Sequence, residues 1–340
     1  MLDDLDMDRS GPTAPASTGG RFGRAELRRL LTVTGDEQGD LFRRAREARR
    51  LAGADDVKLR GVIELSNYCQ KTCDYCAIRA GNKALERYRM TADDIMRLAE
   101  CIREAGISTV FLQGGQDPKM DGVVSEVIPR IRRELGCEVL LCLGEKPLEV
   151  YQEWAALGAT SYILKFESSD PGLYHQVVRT PLDKRIRCIR WIKECGMEIG
   201  TGNIVGLRGQ TLDMLVDDVL LAESLEPDFL SSSPFIPNEG TPLETISEGD
   251  VDATLNTMAL YRLLFPRALV PTVSALEKLR GGGQLAGLQA GANVITINFT
   301  PPDFREKYAI YSAKGRFIVG ADHARGIIER AGLTIRPPRG

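Results

Sequence analysis

Cysteines stand at positions 69, 73 and 76, a Cys-x3-Cys-x2-Cys spacing inside the run Asn67-Tyr68-Cys69-Gln70-Lys71-Thr72-Cys73-Asp74-Tyr75-Cys76. Three thiolates so spaced can supply three irons of a four-iron, four-sulfur cluster and leave the fourth without a protein ligand. Such an iron is open to a substrate or a cofactor. Two other chemistries compete for these residues. Structural zinc takes four closed ligands, but the next cysteine, Cys101, lies in the helical run Arg97-Leu98-Ala99-Glu100-Cys101-Ile102, and the only histidines are His175 and His323. Metal-free structural thiols behave as small buried apolar groups, and three on one short polar loop have no packing rationale. The cluster fits best of the three.

The elements that must position these thiols come next. The apolar stretch 61–66 reads as a strand, so the cysteines lie on the loop leaving its C-terminal end, where the active-site loops of a β/α barrel lie. Further strands are expected at 109–113, 138–143, 161–166, 198–205, 228–232, 269–273 and 293–297. Helical patterns at 91–105, 123–135, 148–157, 181–195, 211–225, 250–264 and 283–290 alternate with them, and several stop at a glycine suited to a C-terminal cap. Alternation with short connections implies a parallel sheet. The expected fold is α/β, a closed (β/α)8 TIM-type barrel with N-terminal helices and a C-terminal extension; an open doubly wound sheet is the alternative. The expected organisation is a disordered tail at 1–22, a helical extension at 23–57, the barrel at 58–300, and an extension packed on the barrel at 301–340.

Composition fits one enzyme domain. With 43% apolar residues the 340-residue chain can bury a large core, and no apolar run approaches the 18 residues of a membrane span. A net charge of -3 argues against nucleic acid as a partner. The first twenty residues are acidic, then rich in Pro, Ser, Thr and Gly, unlike a signal peptide. Eight scattered cysteines without a paired framework point to a reducing cytoplasm.

Other strand ends gather at the same mouth. Gly114, Gly115 and Gln116 follow the second strand, where adjacent glycines let backbone approach a ligand. Glu167 ends the fourth strand and Arg185 opens the helix after it; carboxylate and guanidinium together suit a zwitterionic ligand, and equally a structural ion pair. Thr201, Asn203, Ser231, Ser233, Thr272, Ser274, Thr296 and Asn298 are polar positions on late strands, of which alternation lets only some face inward. Cys142 sits near a strand's C-terminal end and is expected in the cavity. Cys137, Cys188 and Cys195 read as buried apolar residues; a second cluster drawn from these four stays an alternative, although no pair has a Cys-x2-Cys spacing.

The cysteine run, with Tyr75 directly before its last member, resembles the signature of the radical S-adenosylmethionine (SAM) superfamily. Several further stretches occur in the order found in its biotin synthase-like branch. They are Asn82-Lys83 with Arg87-Tyr88-Arg89-Met90, Leu143-Gly144-Glu145, Val205-Gly206-Leu207 with Gly209-Gln210-Thr211, Pro234-Phe235-Ile236-Pro237 with Thr241-Pro242-Leu243, and Ala292-Asn293-Val294-Ile295 with Thr300-Pro301. Within that branch the chain is most similar to the FeFe-hydrogenase maturases and also resembles methylornithine synthase. The resemblance implies one 4Fe-4S cluster on Cys69, Cys73 and Cys76, with the amine and carboxylate of SAM on the open iron. An electron from the cluster then cleaves the sulfonium and yields a 5'-deoxyadenosyl radical. It assigns Tyr75 and Val205 to the adenine, Gly114, Gly115 and Gln116 to the methionine amine, and Glu167 and Arg185 to SAM. Cys142, Thr201, Asn203, Thr272 and Asn298 become substrate-lining candidates.

The implied partners are a small-molecule substrate, an electron donor such as flavodoxin or ferredoxin, and a maturation or carrier protein; no nucleic acid or membrane is implied. Biotin synthase builds a second cluster from strand cysteines, for which this chain has Leu112, Leu140 and Gly200. Some maturases carry extra C-terminal cysteines, but none follows Cys195 here. Metallocofactor maturation is the leading expectation. An amino-acid mutase like methylornithine synthase, a sulfur-insertion enzyme and a non-enzymatic cluster scaffold are the alternatives.

Overall fold

The computed structural model describes residues 22–310 and 315–337. The expected tail therefore lies outside the described residues except for Phe22, which packs into the core. Helices α1 (Arg24–Leu30) and α2 (Gly35–Leu51) precede the sheet. Then follow β1 (Asp56–Ser66), α3 (Ala92–Glu104), β2 (Thr109–Gly114), α4 (Asp121–Glu134), β3 (Glu138–Cys142), α5 (Leu148–Leu157), β4 (Ser161–Ile163), α6 (Pro171–Val178) and α7 (Leu182–Glu194). The chain continues through β5 (Glu198–Val205), α8 (Leu212–Leu225), β6 (Phe229–Pro234), α9 (Val251–Leu264), α10 (Ser274–Leu279), α11 (Gly283–Gln289), β7 (Val294–Asn298), α12 (Pro302–Arg305), α13 (Ala321–Arg330) and β8 (Thr334–Ile335).

The main strands run parallel in the order β6-β5-β4-β3-β2-β1-β7. The sheet is curled into a partial barrel with helices outside. The expected strand at 269–273 is not a ladder: it makes isolated bridges, Phe229 with Leu269 and Pro271 with Val294, between the two edge strands. Pro271 has no N–H to give a ladder, which explains the break. An unexpected short strand, β8, pairs with the start of β1, where Arg336 holds both carboxylate oxygens of Asp56 at 2.9 Å.

Alternation along the strands sorts residues onto two faces. Val62, Phe111, Leu140 and Phe229 form a small apolar cluster with Cys142 and Ile163 inside the curl. Outward residues such as Ile63, Leu112, Leu141 and Ile199 pack in the main core. Leu112 thus points away from the interior and Phe111 takes the inward place, a correction to the expected set Leu112, Leu140 and Gly200. Apolar residues on two successive positions left the phase of β2 undetermined from sequence.

Helix α6 was absent from the sequence pattern. Asp170 caps it by accepting the Leu173 N–H at 2.7 Å, and Pro171 occupies its first position. Eight residues are too few to show helical periodicity, but the Asp-Pro pair was a readable start signal.

Candidate active site

A register shift between Glu64 and Ser66 bends β1 just before the cysteine loop. Asn67 then clamps the loop: its side chain donates to the carbonyls of Glu86 and Lys307 at 2.8 and 2.7 Å and accepts the Tyr88 N–H at 2.8 Å. Arg87 donates to the carbonyls of Asn67, Ile78, Arg79 and Asn82. These bonds give physical content to the Asn67 and Arg87-Tyr88 positions singled out in the sequence. Loop backbone without a sheet partner is satisfied by two side chains instead.

Cys69, Cys73 and Cys76 line one cavity. The Cys69 Sγ accepts the N–H groups of Lys71 and Gln116, each at 3.4 Å. Burial pushes the Cys73 thiol up to about 11, with smaller effects from Arg185 and Cys69, and raises Cys76 further. Among the described residues no three His, Cys, Asp or Glu side chains are grouped closely enough to hold a single metal ion. The donor set nevertheless suits an iron-sulfur cluster: three thiols on one cavity, with backbone N–H donors already aimed at one sulfur.

Gly115 shows how closely backbone packs beside them. A Cβ here would lie 2.1 Å from the Tyr68 carbonyl oxygen and 2.7 Å from the Cys69 Cβ, so only glycine lets this turn lie against the loop. Gly114, Gly115 and Gln116 all line the cavity. Gln116 also accepts the Glu145 N–H at 3.0 Å and the Gln70 N–H at 2.9 Å, joining the ends of three strands.

Glu167 and Arg185 face the same cavity but do not pair with each other. Glu167 has φ +61, a left-handed conformation that costs a non-glycine residue about 1–3 kcal/mol. Backbone bonds to β5 hold it there, its N–H on the Gly202 carbonyl at 3.0 Å and its carbonyl on the Ile204 N–H at 2.9 Å. Its Oε1 accepts from the Tyr75 hydroxyl at 3.2 Å. Its Oε2 is buried without a hydrogen bond, 3.4 Å from the Lys165 ammonium. A buried carboxylate oxygen left in that state is placed for a cationic donor.

Arg185 donates to Glu145 at 3.0 Å, the Tyr174 hydroxyl at 2.9 Å and the Lys165 carbonyl at 3.1 Å. Glu145 also meets Lys71 at 3.2 Å and Lys184 at 3.6 Å. Burial works to raise its pKa, yet Arg185, Lys71 and Lys184 outweigh it and hold the carboxyl below its ordinary value. Sequence reasoning quoted Glu145 only as part of a matching stretch. Its position at a strand's end, beside Gly144, was the available signal of a role at the mouth.

Beneath lies a second chamber, inside the curl. Gln113, Cys142, Ile163, Lys165, Ser233 and Ile310 line both spaces, so the two meet there. The inner chamber holds the buried ion pair Glu64–Arg316 and the side chain of Arg60, whose Nε and one terminal nitrogen have no hydrogen-bond partner. Arg60 lies 5.5 Å from the centre of the Phe111 ring, a cation–π contact. None of Glu64, Arg60, Arg316 and Lys165 was singled out from the sequence, because no local pattern shows which charged residues face the interior.

The substrate candidates divide. Cys142 lies where the chambers meet, as expected, and burial pushes its thiol up to about 11. Asn298 and Thr272 line the inner chamber, but the Thr272 hydroxyl is bound to the Gln284 carbonyl at 2.8 Å and Asn298 Oδ1 accepts the Thr300 N–H at 2.8 Å. Thr201 and Asn203 are corrected. They lie on the outer face of β5, Thr201 donating to the Leu164 carbonyl at 3.0 Å and Asn203 to Asp218 at 3.0 Å, because Gly200, Gly202 and Ile204 take the inner positions. For the same reason Ile204, not Val205, lines the upper cavity.

Residues 63–222 match the family model described as Radical SAM superfamily, and 232–314 that of the Biotin and Thiamin Synthesis associated domain. The chain is 40% identical over 297 residues to the [FeFe] hydrogenase maturase subunit HydE of Thermotoga maritima, spanning 86% of this chain and 85% of that one. The chain belongs to the radical SAM superfamily. Membership makes it a radical SAM enzyme and implies a 4Fe-4S cluster with SAM. Another relative, 3-methylornithine synthase of Methanosarcina acetivorans, is 29% identical over 86% of this chain and 83% of its own. The crystal structure of methylornithine synthase (PylB) superposes with a TM-score of 0.81 at 25% identity, covering 94% of this chain and 95% of that one. No helix among the described residues is long and apolar enough to cross a membrane.

Proposed function

We propose that this radical SAM enzyme acts on a small substrate in the inner chamber during maturation of a hydrogenase-type metallocofactor. The observation that carries this reading is the continuity of the two chambers. The cysteine triad, Glu167 and Arg185 line the outer one, and Cys142, Gln113 and Lys165 lead from it to a buried, charged interior. The similarity to HydE over most of both chains supports the maturation role.

When bound, the cluster and SAM supply reductive cleavage of the sulfonium and a carbon-centred radical. Cys69, Cys73 and Cys76 would hold the cluster. Gly115 leaves room for backbone contact with the methionine amine, Glu167 offers to that ammonium the oxygen that accepts no hydrogen bond, and Arg185, anchored by Glu145, faces the carboxylate. Tyr75 keeps Glu167 oriented through its hydroxyl. Ile204 offers an apolar surface to the adenine, and the isolated bridges of Leu269 and Pro271 span the gap between the two edge strands. Phe111, Leu140 and Gly200 bring no thiol to the inner wall, which speaks against sulfur insertion from a second cluster. The enzyme draws its electron from a flavodoxin- or ferredoxin-type donor, works in the cytoplasm, and passes its product to a maturation or carrier protein.

Replacement of HydE by this chain in an anaerobic [FeFe]-hydrogenase maturation assay tests the role. Activated hydrogenase is the expected result. Cleavage of SAM without any activation would remove the maturation role and leave the mutase reading, which the PylB superposition favours.

A further inference from the structure

Asp74 stands between Cys73 and Cys76 in the cysteine loop, with its side chain only 6% exposed. Arg179 grips it: Nε donates to one carboxylate oxygen at 3.2 Å and a terminal nitrogen donates to the other. A second guanidinium, that of Arg79 just after Cys76, lies 3.6 Å away, and its Nε is buried without a hydrogen-bond partner. Lys71, Lys184 and Arg185 are taken up by Glu145 instead. Asp74 therefore carries its negative charge beside the triad against the two positive charges of Arg79 and Arg179.

The end of α6 holds Arg179 in place. Its φ of +67 is a left-handed conformation uncommon outside glycine, and its N–H donates to the His175 carbonyl at 3.0 Å where the helix stops. Just before it the chain meets the loop twice. The Val177 carbonyl accepts the Asp74 N–H at 2.7 Å, and the Val178 carbonyl lies 3.8 Å from the Cys73 Sγ. These contacts fasten the loop to α6 without any charge. What the paired charges add is an electrostatic field on the triad. Adjacency to Cys73 in the chain keeps the Asp74 carboxylate within about 12 Å of an iron bound to that sulfur, and the potential of an iron-sulfur cluster follows the charge around it. We propose that Asp74 and Arg179 set the reduction potential of the cluster, Asp74 lowering it and Arg179 raising it, an inference that rests on the cluster reading of the proposed function. Reduction adds one electron to the cluster, so a neighbouring anion opposes the step and a neighbouring cation favours it.

The test poises the anaerobically reconstituted chain, without SAM and at low salt, against reduced methyl viologen, which gives up one electron per cluster. The reduced fraction is read from the visible absorbance. At a fixed viologen ratio, Asp74→Asn is expected to raise the ratio of reduced to oxidised cluster about tenfold, the effect of one charge about 12 Å away at an effective dielectric constant of about 20. Arg179→Gln is expected to lower that ratio about threefold, less because the side chain is 51% exposed and screened by salt. Arg179→Lys keeps the charge but loses the two-pronged grip, and is expected to stay at the wild-type ratio. Loosening of the loop would instead move Asp74→Asn and Arg179→Gln in one direction. Shifts of the same sign, wild-type ratios in both, or Arg179→Lys moving with Arg179→Gln would each overturn the proposal. If Asp74→Asn assembles no cluster, the two Arg179 variants, changed at a half-exposed side chain, decide the matter alone. A wild-type chain that assembles no reducible cluster would overturn the underlying reading as well.

Discussion

At the residue scale, the site depends on close approaches that leave no room for substitution. Gly115→Ala puts a methyl 2.1 Å from backbone, which no side-chain rotation relieves. We expect it to lower stability by about 1–3 kcal/mol and to reduce iron loading, measured by thermal unfolding and iron assay of the reconstituted protein. Wild-type values for both would show that the turn moves freely. Glu167→Gln removes the charge but keeps the shape, and SAM affinity by calorimetry is expected to weaken about tenfold or more, as for loss of one partner in a charge-assisted bond. The triad was readable because three cysteines so close together are scarce, and Glu167 because it ends a strand; Arg185, on the helix that follows, was assigned to SAM by the resemblance. Glu145 and Lys165 were not readable, since their value comes from partners far away in sequence.

At the element scale, β5 and α8 hold the carboxylate loop from behind. Asp218, fully buried on α8, accepts from the Ser169 N–H and hydroxyl at 2.6 and 2.7 Å and from Asn203 at 3.0 Å. It thereby braces the turn that carries Glu167. Burial raises its pKa to about 6, against the opposing bonds from Ser169 and Asn203. The folded value lies above the unfolded value of about 4, so the folded chain holds this proton more tightly. The resulting stability is present below about pH 4 and is lost as pH rises through about 6. Asp218→Asn has no such proton, so the stability of wild type relative to the variant should fall between pH 4 and 6, as read from urea midpoints. A pH-independent difference would contradict the assignment. Periodicity revealed α8 and β5, but not which face of β5 looks inward. Gly200 and Gly202 are too small to mark a face by hydrophobicity, so the polar Thr201 and Asn203 drew attention that belonged to their neighbours.

At the scale of the whole molecule, the C-terminal region is tied to the barrel interior through Arg316 and Glu64, with side chains 10% and 1% exposed. Glu64→Ala leaves a buried guanidinium without its carboxylate and is expected to cost about 3–5 kcal/mol, measured by denaturant unfolding; a change below about 1 kcal/mol would mean that water enters freely. This link was invisible in the sequence because the two residues lie 252 positions apart. The parallel α/β plan was legible from alternating strands and helices, whereas the bridges at 269–271 and the pairing of β8 with β1 depend on long-range register that no local pattern encodes. The account turns on one claim, that Cys69, Cys73 and Cys76 carry a cluster able to cleave SAM. Its most direct test is 5'-deoxyadenosine formation by the anaerobically reconstituted, reduced chain. The account predicts that wild type, with about four irons per chain, forms it and that Cys76→Ala does not; absence in wild type, or retention in Cys76→Ala, would contradict it.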